Sequence, residues 1–207
     1  MLEKSNALVN DFKNRQNLDS SDSFQVSFSS VMQKLIKTML NVEYSFGDTL
    51  QIADADVADF DATSQELLQE IDDIVDRYPQ TPLYAASRVV ILYHLAKEEA
   101  ILSVLKNSEE RLSKANEFLE EADKKMNEFT DTFSNHSFSI MFGDLLDMAV
   151  IEMNLKNGDV EKAQKRLEEM TNRMEKMEET FPERAKQSLK NCQRMRQLIE
   201  DASKKAS

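Results

Sequence analysis

Apolar residues recur three or four positions apart along most of the chain from residue 30 onwards, the spacing that stacks side chains on one face of an α-helix. Val31, Leu35, Met39, Val42 and Phe46 form the first stripe, preceded by Ser30 and Gln33 at capping spacing and stopped at Gly47. A second helix is predicted to start at Thr63, with Glu66 three residues on, and to turn Leu67, Ile71, Ile74, Val75 and Tyr78 inward. Pro79 and Pro82 close it and open a third, because proline fits a helix's first turn but not its interior. That helix carries Ala86, Val89, Val90, Tyr93 and Ala100 and runs to Leu105. A fourth holds Leu112, Ala115, Phe118, Leu119, Ala122, Met126 and Phe129, and a fifth Phe138, Phe142, Leu145, Ala149 and Met153. A sixth follows with Val160, Ala163, Leu167, Met170, Met174 and Met177, and a seventh with Ala185, Leu189, Cys192, Met195 and Ile199. The fold class expected is all-α, built of antiparallel helix-hairpin repeats with about six to seven helices.

The fourth and sixth helices resemble each other. Leu105-Lys106-Asn107 recurs as Leu155-Lys156-Asn157, Lys114-Ala115 as Lys162-Ala163, and Leu119-Glu120-Glu121 as Leu167-Glu168-Glu169. Met126 matches Met174, and Thr132-Phe133 matches Thr180-Phe181, at a steady offset of about 48 residues after a two-residue adjustment in the turn. An aromatic closes each unit: Tyr78, Phe133 and Phe181.

On these residues the chain resembles the tetratricopeptide-repeat superfamily, in a divergent form similar to its envelope-associated members. Gly158-Asp159-Val160-Glu161-Lys162-Ala163 looks like that family's inter-helix turn, and Tyr78-Pro79-Gln80-Thr81-Pro82, echoed by Phe181-Pro182, looks like its aromatic-proline junction. The resemblance covers roughly residues 61–202. It departs in its long interval, against about 34 residues for the family, in Asn107-Ser108 at the place of the turn glycine, and in Ser134 after Phe133. It implies an α-solenoid or right-handed helical stack that binds a protein partner, in the envelope-associated version a scaffold or chaperone-like part of a membrane-associated assembly.

Composition agrees with long helices, since glycine and proline occur three times each in 207 residues. The expected organisation is a polar N-terminal segment over 1–23, a first helix and acidic connector over 24–60, and the repeat domain over 61–207. The formal net charge of −12 argues against nucleic acid and against an anionic membrane surface. Acidity is concentrated between Glu43 and Asp76, where no Lys or Arg occurs, whereas the stretch after Pro182 is basic. No stretch of roughly 18 apolar residues and no signal-like leader is present, so direct membrane insertion is not expected. The chain as written reads as cytoplasmic, or as periplasmic or envelope-associated if a leader or anchor has been removed.

Catalytic and metal chemistry find little to stand on. Counting from Asp54, an EF-hand loop would need oxygen at Ala58, glycine at Asp59 and glutamate at Gln65, and the pattern fails. His94 and His136 lack the Glu-x-x-His spacing of bundle metal sites, Cys192 is single and apolar in setting, and no phosphate loop or nucleophile elbow occurs. No cofactor is expected and no enzymatic role.

The expectation is a non-catalytic interaction module or scaffold, its partner a protein that is basic or carries an apolar peptide segment. Asp54, Asp56, Asp59 and Asp61 would select the basic partner, while Phe133, Phe138, Phe142, Met170 and Met174 would form an apolar groove. Met141 joins that aromatic cluster, although core packing is the default reading of the Phe and Met residues. The alternative is a self-associating helical-bundle structural protein, homo-oligomers being compatible with its long Lys- and Glu-rich helices.

Overall fold

The computed structural model describes residues 30–35, 52, 54–133 and 137–206. Met39, Val42, Phe46, Gly47 and His136, the Met141 side chain, and the segment 1–23 lie outside the described residues. Among those described the fold is all-α, seven helices and no strand: α1 over residues 30–35, α2 Asp54–Arg77, α3 Pro82–Leu105, α4 Glu109–Thr132, α5 Ser137–Lys156, α6 Val160–Met177 and α7 Pro182–Ala206. The chain divides into two compact units, Met1–Ala115 and Asn116–Ser207.

In the first unit α2 packs against α3. Its buried residues, Phe60, Ser64, Leu67, Ile71 and Ile74, alternate at four and three positions and so form one stripe. The Ser64 hydroxyl donates to the Phe60 carbonyl at 2.6 Å, which satisfies the one polar side chain in that stripe. Val31 and Leu35 of α1 are buried, and Lys34 beside them donates to Glu70 Oε1 at 2.5 Å and Glu66 Oε2 at 3.2 Å on α2.

One expectation is corrected here. The acidic stretch read as a connector ending at Asp61 is helical from Asp54, so Asp54, Asp56, Asp59 and Asp61 belong to the first two turns of α2. Ala55, Ala58 and Ala62 are strong helix formers, no glycine or proline intervenes, and aspartates near a helix N-terminus are favoured by its positive end. Thr63 and Glu66, at capping-box spacing, lie inside the helix. Spacing alone does not mark a start when the preceding residues also favour helix.

His94 is half-buried on α3, its ring 5.4 Å from that of Tyr93. Burial, reinforced by the charge of Lys97, pushes its imidazole below the usual 6.5. The unfolded chain therefore takes the proton first as pH falls, so the stability this residue contributes is full above about pH 6.5 and is lost as pH drops through the folded value. An NMR titration is expected to place the His94 midpoint below 6.5, and His94→Gln to flatten the acid-side loss of stability over the same window. A midpoint above 6.5 would show the opposite sign.

The turns of the two matching hairpins share one backbone solution. After α3, Asn107 takes the left-handed conformation (φ 49°) and the Ser108 N–H reaches back to the Ser103 carbonyl at 2.9 Å. After α5, Gly158 does so (φ 79°) and the Asp159 N–H reaches the Asn154 carbonyl at 2.8 Å. Both closures bond the sixth residue to the first, the pattern that satisfies orphan carbonyls at a helix C-terminus, and asparagine is the residue that best replaces glycine there. The equivalent of Gly158 is thus Asn107, 51 residues earlier, whereas the buried pairs Ala115/Ala163, Leu119/Leu167 and Met126/Met174 lie 48 apart. The difference, 51 − 48 = 3 residues, is close to one helical turn inserted at the start of α4.

In the second unit α6 packs against both α5 and α7, and α5 also touches α7. Ile151, Ala163, Leu167, Met170, Met174, Cys192, Met195 and Ile199 fill the core between them. On α5 the expected inward face is corrected. Leu145 is 45% exposed, while Asp144, Asp147 and Ile151, three and four apart, are buried. Leu146, also fully buried, lies about 200° round the helix from Asp144, so α5 is covered on two sides. A helix apolar nearly all round gives no preferred face by hydropathy, and here its two aspartates mark the inside.

Candidate functional site

The four aspartates proposed for a basic partner are already engaged in part within the first unit. Asp54 is almost fully exposed and receives the Lys106 ammonium at 2.6 Å, which holds its carboxyl below the usual range. Asp56 and Asp59 are exposed on α2. Asp61 accepts both Arg111 terminal nitrogens, at 2.6 and 2.7 Å, and that pairing lowers its pKa. Arg111 also reaches Glu99, whose side chain is 4% exposed, at 3.0 and 3.1 Å. Burial raises the Glu99 pKa even though the guanidinium pulls it the other way. Asp61, Arg111 and Glu99 therefore form a packed triad, while Asp56 and Asp59 are exposed on the same helix as Asp61.

The aromatic residues do come together, at the junction of α4 and α5. Phe129 is buried, with ring centroids 5.0 Å from Phe133 and 5.2 Å from Phe138, and Phe138 stacks on Phe142 at 5.2 Å. Phe133, Phe138 and Phe142 are half-buried. Met170 is corrected in role: at 0% exposure it belongs to the core of α5–α7 and offers a partner no surface, whereas Met174, 3% exposed in the same core, reaches a groove with its edge.

A groove that the sequence did not announce lies in the second unit, between the C-terminal half of α4, the N-terminal half of α5 and the C-terminal half of α6. It encloses about 520 Å³. Met126, Leu146, Met174, Met177 and Phe181 give it apolar walls, and Asn127, Thr130 and Ser139 add neutral polar groups. The Thr130 hydroxyl donates to the Met126 carbonyl at 2.9 Å, and the Ser139 hydroxyl lies 3.3 Å from it. Phe181, in the turn between α6 and α7, is 47% exposed at this groove.

Its floor is ionic. Asp147, 1% exposed, accepts from Arg166 Nε at 2.8 Å and from the terminal nitrogen of Arg173, while Arg166 also pairs with Asp123 on α4. Burial alone would lower the Arg166 pKa, but the Asp147 and Asp123 carboxylates outweigh it and raise it. Burial pushes the Asp147 carboxyl up against the pull of both guanidiniums. Beside it, Asp144 Oδ2 accepts from the Ser188 hydroxyl and from Arg184 at 3.3 Å, tying α5 to α7. Two buried aspartates on α5 thus organise arginines and a serine from α6 and α7. The signal available in the sequence was their placement: two acids three residues apart in an otherwise apolar helix.

Among the described residues no group of three or more His, Cys, Asp or Glu is arranged to hold a metal ion, and no helix is long and apolar enough to cross a membrane. Cys192 is buried in the core, and burial raises its thiol pKa despite a hydrogen bond with Thr171. No protein-family model, curated protein or solved structure matches the chain.

Proposed function

We propose that the chain is a non-catalytic protein-interaction module, a scaffold or assembly component of tetratricopeptide-like helical-hairpin design, which holds a peptide segment of its partner in the α4–α6 groove. The observation that carries this reading is the combination in one groove of apolar walls, an exposed aromatic at Phe181 and a fixed ionic floor. Apolar anchors supply most of the affinity at such surfaces, and the buried ion network gives the groove a rigid base, so little ordering cost is left to binding. Methionine walls adapt to varied side chains, which suits a peptide better than one small rigid ligand. The turns at Asn107 and Gly158 support the helical-hairpin part of the reading, because both close with a left-handed residue and the same sixth-to-first backbone bond.

The test is selection of random peptides displayed on phage against the purified full chain, followed by binding measurements on the enriched sequences. Specific enrichment is expected, with Phe181→Ser weakening the selected peptides by about tenfold, the loss of one aromatic anchor. The reading is lost if nothing enriches above the bare support, or if Phe181→Ser leaves every affinity unchanged.

A further inference from the structure

We infer that the groove selects a peptide segment in which an aspartate or glutamate side chain lies between apolar ones; this deepens, and rests on, the reading of the chain as an interaction module. The carboxylates in the groove are spent. Asp147 has both oxygens on arginines, and Asp144, 2% exposed, has one oxygen on Ser188 and Arg184. The other, Asp144 Oδ1, makes no hydrogen bond but is buried beneath the surface, so it offers an incoming basic side chain no accessible acceptor.

The cations are not spent. Arg173 is 48% exposed and commits one terminal nitrogen to Asp147, which fixes the guanidinium while leaving its other donors toward the rim. Lys176, three residues on and so on the same side of α6, lines the same groove, is exposed, and has no ion pair within the described structure. An incoming carboxylate therefore meets a positioned arginine fork and an ammonium, with the Thr130 and Ser139 hydroxyls nearby. A basic side chain would meet like charge at the same place. Met177 and Phe181 line the same groove as these cations, so the matching segment must carry apolar residues next to its acid. The attraction is local, since the second unit as a whole carries 19 Asp and Glu against 15 Lys and Arg.

The phage selection is repeated with the wild-type chain and with Lys176→Glu and Arg173→Gln. Lys176 is exposed, so its reversal is expected to leave folding intact, and Arg173→Gln serves as a second, charge-neutral variant. Wild-type protein should enrich peptides with one acid inside an apolar run. Synthetic versions with that acid changed to Gln or Lys should bind about tenfold more weakly or worse, and Lys176→Glu should shift the enriched set toward basic residues. Enriched peptides without an acid, or the same consensus from wild type and Lys176→Glu, would overturn this inference while leaving peptide binding standing. No enrichment at all would overturn both.

Discussion

Replacing Asp147 by leucine is expected to cost the second unit about 3 kcal/mol, because it strips two arginines of a buried counter-charge while leaving them in place. The loss should fall toward the lower end of what broken buried pairs cost. Arg166 keeps Asp123 as a partner, and Arg173 is half-exposed and can turn its charge to water. The arrangement also predicts a rescue. If Arg166 is changed to methionine in the same chain, its desolvated charge is removed too; Asp123 loses that partner but is 24% exposed and can turn to water, and a well-packed apolar pair of similar volume is often as stable as the ion pair it replaces. Asp147→Leu with Arg166→Met should then be more stable than Asp147→Leu alone by at least about 1 kcal/mol. Native-state hydrogen exchange of the α5–α7 amides is the suitable measurement, since it assigns the loss to this unit. A double variant no better than the single one would mean that Asp147 acts through packing rather than charge.

The same network shows what could be read in advance and what could not. The helices, their order and their turns were legible, because a 3.6-residue period, scarce glycine and proline, and the Asn107 and Gly158 breaks are local signals. The repeat was legible too, and the insertion at its turn nearly so: the sequence match gives an adjustment of two residues, whereas the left-handed residues Asn107 and Gly158 give three. The start of α2 was missed because a dense run of aspartates suggests a solvated loop, whereas alanines between them and the helix's positive end favour helix. Faces were legible where polar and apolar residues alternate with contrast, as on α6, whose buried residues Ala163, Leu167, Met170 and Met174 all lie on the apolar stripe that its spacing predicts. They were illegible on α5, where apolar residues surround the helix and the deciding residues, Asp144 and Asp147, are polar yet buried. The groove depends on those two, and their partners Arg166, Arg173, Arg184 and Ser188 stand 19 to 44 positions away in sequence. No local pattern encodes a pairing at that distance.

In the first unit Arg111→Met is expected to be the most damaging single change, at about 3–5 kcal/mol near neutral pH. Among the described residues Arg111 is the hydrogen-bonded counter-charge of Glu99, which is 4% exposed, so its removal leaves a buried carboxylate without a direct partner. Asp61, at 39% exposure, has recourse to water and adds less. The pH dependence separates this account from a simple loss of packing. Burial already holds the Glu99 pKa above 4.5, and without Arg111 only the more distant charge of Lys114 opposes that rise. A raised folded-state pKa means that the folded protein binds the proton more readily than the unfolded chain, so the penalty is full at pH above the folded value and is relieved as pH falls toward 4.5 and below. In the wild-type chain Asp61 works in the opposite sense: its pKa is lowered, and its contribution is present above 3.8 and lost as pH falls through the folded value. Arg111→Met should therefore lose less stability to acid than the wild type, and the two stability curves should converge as the pH is lowered from about 7 to about 4. Adding Glu99→Gln should restore much of the loss at neutral pH, since the amide needs no counter-charge. Urea unfolding of the α2–α3 region at several pH values would decide it: a gap between the curves that stays constant with pH would assign the role of Arg111 to its aliphatic stem rather than to its charge.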